Sequence, residues 1–258
     1  MKPMNASEQF IEKGYAIACA DHMAPLDQLR TEIFKRAQEI FGHRGTDAES
    51  FLNNFHSLDF TGPKLNELRM KLIQQCNRDI DSGTLIFEAF RETLLALLGP
   101  DLLVQKNTNL VIQQPNDPNP SEVHRDSPAN SPFEVVVWLP LVNCFRSKCL
   151  YICDRETTEA GAQLLRDVKN DWAQFEKFCV EKGVEPDVPF GSAILFWPAL
   201  FHGSRINRET ETRWILNMRY KNLFSPNGLK EPFEFFKILQ LSPLARLGID
   251  FQKREVFT

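Results

Sequence analysis

The sequence predicts an α+β fold, with helices in its first hundred residues and strands in the remainder. Leu26, Leu29, Ile33, Ala37 and Ile40 recur at three- and four-residue spacing within residues 8–42, the signature of an amphipathic helix. Beyond Pro100 the pattern changes to short runs of apolar and β-branched residues, at 107–114, 133–142, 148–152, 192–197 and 213–222, separated by turn formers.

In order along the chain, a short apolar stretch at 14–20 precedes the first helix, and a second helix covers 62–77. A third covers 84–98 and stops at Gly99-Pro100, because glycine leaves the helical region and proline cannot continue it. The proline-spaced polar segment 115–120 suits a rigid surface loop leading into the next strand. Another helix lies around 171–181, within an insert between 156 and 183, and the tail at 233–241 is apolar enough to need a packing partner. No internal repeat or low-complexity tract interrupts this order. We expect one domain over residues 1–258: helical support at 1–100, a catalytic core at 101–225 and a packing segment at 226–258.

Composition narrows the function classes. With 43% hydrophobic and 25% charged residues, the 258-residue chain is ordinary for a globular protein, and a formal net charge of −4 gives no basic surface for nucleic acid. Residues 1–9 hold a single lysine and no apolar core, so no signal peptide is expected there. Apolar runs such as 135–142 fall far short of the roughly 20 residues that span a bilayer. The expected location is the cytoplasm, where the six cysteines stay reduced. Cys144, Cys149 and Cys153 lie close together, but without the C-x-x-C spacing that zinc sites use.

Two of the five histidines stand in informative settings. In a strand-like segment, side chains two apart project together, so His124 and Asp126 share a face. His202, just after the apolar run 193–197, offers a second imidazole. Two imidazoles and one carboxylate form the facial set of non-haem iron(II) oxygenases. On its own the triplet is a weak signal, since a His-x-Asp triplet arises by chance in many proteins and a histidine at a strand end is usually just hydrogen-bonded. Ser204 and Arg213 add weight, two and eleven positions beyond His202. From Arg213 onward the strand alternates, with Trp214, Leu216, Met218 and Tyr220 on one face and Arg213, Ile215, Asn217 and Arg219 on the other. We expect the run preceding His202 to pair with this strand, so that the polar face lines a cavity where an arginine fork grips a carboxylate.

The segment from His124 to Phe224 resembles the phytanoyl-CoA hydroxylase-like branch of iron(II)/2-oxoglutarate-dependent dioxygenases. It has the same order of His-x-Asp, distal His, Ser two residues later and Arg eleven residues later. Residues 126–141 and His202-Gly203-Ser204-Arg205 look like oxygenases of bacterial carbohydrate gene clusters, and residues 10–17 resemble a common opening of the branch more loosely. The resemblance implies a double-stranded β-helix, a jelly-roll barrel with helices packed outside. It implies Fe(II), 2-oxoglutarate and O2 as cofactors, with His124, Asp126 and His202 as metal ligands and Arg213 with Ser204 on the distal carboxylate of 2-oxoglutarate. It also implies hydroxylation, because related halogenases carry a small residue where Asp126 stands. Segment 143–152 departs from the branch where the substrate is commonly bordered.

The expected substrate is a sugar or sugar-containing glycoconjugate, with Trp138 and Arg219 as contacts and Gln113 beside 2-oxoglutarate or substrate. If Arg219 meets the substrate, an acidic sugar such as Kdo fits; a structural ion pair to a nearby carboxylate is the other reading. The rival functions are a catalytically degenerate cupin-like sugar-binding protein and a zinc-dependent hydrolase using the same three ligands.

Overall fold

The computed structural model describes residues 4–255 apart from 46, 61, 168–170 and 230. The chain starts with α1 (Ala6–Lys13), closed at its N-terminus by a capping box between Asn5 and Glu8. Gly14, at φ 81°, ends the helix in the left-handed region that glycine tolerates. β1 (Tyr15–Cys19) follows, then α2 (Ala24–Phe41), which buries Leu26, Leu29, Ile33 and Ala37 of the predicted stripe. The helical layer continues through α3 (Ala48–Asn53), α4 (Gly62–Asp79), α5 (Ser82–Ala89) and α6 (Arg91–Leu98).

The helix predicted at 84–98 is two helices, broken at Phe90. The cause is competition for hydrogen bonds from a distant segment of the chain. The Ala89 carbonyl accepts from the Asp21 and His22 N–H groups, and the Asp21 carboxylate accepts from the Glu92 N–H and so caps the new start.

The strand-rich half holds β2 (Leu102–Gln105), β3 (Asn109–Gln113), β4 (Glu134–Pro140) and β5 (Leu150–Ile152). After α7 (Arg155–Asp167) and α8 (Trp172–Lys182) come β6 (Ser192–Phe196), β7 (His202–Ser204), β8 (Arg213–Asn222), α9 (Pro232–Phe235), β9 (Phe236–Gln240) and α10 (Pro243–Glu255). All five predicted strands form. β1, β2 and the three-residue β7 were not expected; β1 and β2, with five and four residues, and three and four of them buried, show none of the alternation that marks a strand with one solvated face. The apolar tail finds its partner as β9, paired with β2.

One antiparallel sheet runs β1-β6-β4-β8-β2-β9, with β3 also on β8; β5 and β7 form a second, two-stranded sheet. β8 is the axis of the first sheet. It pairs with β4 along one edge, and on the other with β3 through Arg213 to Asn217 and with β2 through Tyr220 to Asn222. The expectation that the run before His202 pairs with β8 is corrected: β6 pairs with β1 and β4, and β4 lies between β6 and β8. His202 instead enters through β7 and the smaller sheet.

Helices cover the apolar face of β8. The Trp214 ring meets Phe55 edge-on at 5.1 Å, and the Tyr220 hydroxyl donates to the Gly83 carbonyl at 2.7 Å. No described helix is long and apolar enough to cross a membrane.

A buried cation joins this helical layer to the approach to β8. Lys148 is fully buried, and its Nζ donates to Asn53 Oδ1 at 2.8 Å and Glu211 Oε2 at 2.7 Å. Lys148→Ala strands both acceptors. Because Glu211 retains 36% side-chain exposure, the expected loss falls at the lower end for broken buried pairs, about 2–4 kcal/mol. Urea unfolding of the two proteins measures it, and a loss below about 0.5 kcal/mol would show that water replaces the lysine without penalty.

Candidate metal centre

His124 and His202 are brought together by their own backbones. His124 N–H donates to the His202 carbonyl and His202 N–H to the His124 carbonyl, each at 2.9 Å, a single antiparallel bridge that fixes the register. Two further bonds extend the seam: Ser204 N–H to the Ser121 carbonyl at 2.9 Å, and Ser121 N–H to Ser204 Oγ at 2.8 Å. Between His202 and Ser204 only glycine fits, since a Cβ on Gly203 would lie 2.5 Å from the Tyr151 hydroxyl.

The strand expected around His124 is limited to this one bridge. Beyond it the chain turns away, as Asn130 donates from both its backbone N–H and its Nδ2 to the Asp126 carbonyl. Asp126 still reaches the two imidazoles. The three side chains offer ligand atoms that all lie within 4.8 Å of one another, and they form the metal-competent cluster of His, Cys, Asp and Glu found among the described residues.

Both imidazoles are oriented for coordination. His124 Nδ1 lies 2.9 Å from the Glu122 carbonyl and His202 Nδ1 lies 3.0 Å from the Leu200 carbonyl. A carbonyl only accepts, so the proton belongs on Nδ1 and each Nε2 keeps its lone pair free for a metal. Burial pushes the His202 imidazole well below its ordinary value, and the neighbouring His124 adds to this. His202 is therefore neutral at pH 7, the form that ligates.

The polar face of β8 closes the site, as its alternation predicts. Arg213, Ile215, Asn217 and Arg219 line a cavity of about 170 Å³ together with the three candidate ligands, Ser204 and Trp138. Arg213 is buried, 5% exposed, and burial holds its guanidinium below the ordinary value. Its hydrogen bond among the described residues runs from Nη1 to the Cys149 carbonyl at a long 3.3 Å, and its Nε is buried without a partner. A buried guanidinium in this state keeps donor capacity that an anion entering the cavity can fill. Ser204 accepts the Ser121 N–H and so keeps its hydroxyl proton free to donate into the same space.

Of the remaining candidates, Gln113 lies outside this cavity and Arg219 is engaged within it. Gln113 pairs with Arg213 in the β3–β8 register, yet it lines a neighbouring cavity of about 700 Å³ instead of the smaller one. Its Nε2 donates to the Arg205 carbonyl and its Oε1 is buried without a partner. Arg219 donates from Nη2 to Asp126 Oδ2 at 2.8 Å. The segment 115–120, read from sequence as a surface loop, lines the larger cavity, as does Arg69 of α4. Nothing in the helical pattern of α4 singles out Arg69. Asn217, by contrast, stood on the predicted polar face.

No family model matches the sequence, and no curated protein matches it. Solved structures do match, over nearly the whole chain. ThoJ, a non-heme monooxygenase solved as a nickel complex, superposes with a TM-score of 0.55 at 17% identity, covering 93% of this chain and 86% of that one. The chain shares that fold. SnoK, a non-heme alpha ketoglutarate dependent carbocyclase from nogalamycin biosynthesis, gives 0.53 at 15% identity, with 91% and 95% covered. EctD from S. alaskensis, in its apoform, gives 0.52 at 14% identity, with 90% and 84% covered.

The bridge that holds His124 uses backbone atoms, so its side chain contributes little to stability; it retains 45% side-chain exposure. His124→Ala is therefore expected to reduce divalent metal affinity at least 100-fold while leaving the metal-free melting temperature within about 2 °C. Calorimetric titration with Zn(II) or Ni(II) and thermal unfolding in chelator provide the two readings. A variant that binds metal like the parent would remove His124 from the ligand set.

Proposed function

We propose that the protein is a non-haem iron(II) oxygenase that uses 2-oxoglutarate and O2 to hydroxylate a sugar or sugar-containing glycoconjugate, releasing succinate and CO2. The observation that carries this reading is Arg213: a buried, under-partnered guanidinium in the same small cavity as two imidazoles and a carboxylate. A zinc hydrolase or a degenerate binding barrel gives that arginine nothing to hold. We read the two sheets around the cavity as the double-stranded β-helix of a single domain, and the six free cysteines accord with a cytoplasmic location.

His124, Asp126 and His202 would hold the iron, which when bound couples decarboxylation of the cosubstrate to oxidation of a substrate C–H bond. Arg213 and Ser204 bind the distal carboxylate of 2-oxoglutarate, the guanidinium through its fork and the serine through its free proton. Trp138, on β4 opposite Asn217, lies on the cavity wall and keeps that end apolar. A volume of about 170 Å³ suits the cosubstrate and leaves little room beside it.

The substrate reading draws on the adjoining cavity of about 700 Å³, which shares Val111, Ser121, Ser204 and Arg213 with the smaller one but none of the three candidate ligands, so a substrate held there must extend past the cosubstrate anchor to bring a C–H bond to the metal. Asn66, Arg69, Gln114, Asn116 and Asn119 give it amide and guanidinium groups, suited to the many hydroxyls of a sugar.

Iron-loaded protein, prepared anaerobically and given 2-oxoglutarate, O2 and a panel of sugars, should form succinate in step with a product 16 mass units heavier. Absence of both 2-oxoglutarate binding and succinate would overturn the assignment. Arg213→Lys keeps the charge and loses the two-bond geometry, so 2-oxoglutarate affinity should fall by about 30- to 1000-fold, on the order of 2–4 kcal/mol. Unchanged affinity by titration would assign the anchor to another group.

A further inference from the structure

We propose that Arg219 is a positioning residue for the metal ligand Asp126, fixing which carboxylate oxygen faces the imidazoles, and not a contact for the substrate. This inference rests on the metal-site reading above. A carboxylate that gives one oxygen to a metal must satisfy the other, and an outer partner that does so sets the orientation of the first. Here the division is explicit. Asp126 Oδ2 takes the Arg219 Nη2 donor at 2.8 Å, while Oδ1 lies 3.8 Å from His124 Nε2. Both side chains of the ion pair are only 14% exposed, so the pair is held where water competes weakly.

Arg219 is itself oriented from outside the metal cluster. Its Nη1 donates to Gln105 Oε1 at 3.3 Å, and Gln105 is anchored by donating from Nε2 to the Asn107 carbonyl. The strand β2 therefore fixes a glutamine, the glutamine helps aim a guanidinium, and the guanidinium fixes the carboxylate. A substrate acid would have to displace Asp126 from this arrangement to use the same donor. Arg219 Nε is buried without a partner among the described residues, out of reach of an incoming acid.

The pairing has a second consequence. The positive guanidinium offsets the charge of Asp126, so a metal bound here retains more of its own charge towards an anionic chelate. Hydrophobic neighbours offer no substitute, since Val136 and Phe196 supply the cavity's nearby apolar wall.

The test uses the full chain and Co(II) or Zn(II) alone, with no substrate and no turnover. Arg219→Leu is expected to bind either metal about 10- to 100-fold more weakly, with a changed visible spectrum of the Co(II) form, because Asp126 loses its fixed orientation. Arg219→Lys should fall between the two, since an ammonium keeps the charge and delivers one donor; it carries the test if the leucine variant does not fold. Metal affinity and Co(II) spectrum matching the parent in a folded variant would overturn the inference, as would tighter binding. If the parent chain binds neither metal, the metal-site reading fails and this inference fails with it.

Discussion

β8 is the constraint on which the remainder of the molecule depends. It is a ten-residue strand paired on both edges, and packing also buries most of both its faces. One face is uniformly apolar and packs under the helical layer through Trp214, Leu216, Met218 and Tyr220. The other holds two arginines and an asparagine inside the protein. Burying such groups costs several kcal/mol each unless partners are supplied. Asp126 supplies one for Arg219, and Arg213 keeps unfilled donor capacity. In the proposed reading, that unfilled capacity is what selects a dicarboxylate.

The candidate metal centre is assembled across two sheets. Arg213 and Arg219 belong to the large sheet and His202 to the small one, while His124 and Asp126 arrive on a loop attached to β7 by a reciprocal pair of backbone bonds. Because main-chain atoms make the attachment, side-chain chemistry is left free for coordination. The carbonyl two residues before each histidine, Glu122 on that loop and Leu200 on the approach to β7, sets its imidazole tautomer. Ring orientation, proton position and register therefore follow from one local backbone arrangement, so little reorganisation is required when a cation binds.

Around this rigid seam the structure separates two volumes. The smaller is walled mainly by strands and holds the three candidate ligands; the larger is bounded by the proline-spaced segment 115–120 and by α4. Such a division lets the reacting centre stay small and shielded while a neighbouring polar space accommodates a bulkier molecule, an arrangement consistent with the proposed sugar substrate.

The sequence by itself determined the class of fold, the five main strands, the alternation of β8, and the identity of the candidate ligands His124, Asp126 and His202. These are local or periodic properties: a strand's side chains alternate regardless of what packs on it, and residue chemistry is unchanged by folding. It left out β1 and β2, because short buried strands lack a polar phase, and it joined α5 to α6, because the break at Phe90 depends on Asp21, which lies some seventy residues earlier in the chain. Strand order also lay beyond it, since nothing local to β6 or β8 shows that β4 comes between them. Whether a carboxylate of the chain meets Arg219 was open for the same reason. Only tertiary structure shows that pairing, because the partner Asp126 is 93 residues away and reaches it by way of the His124–His202 bridge.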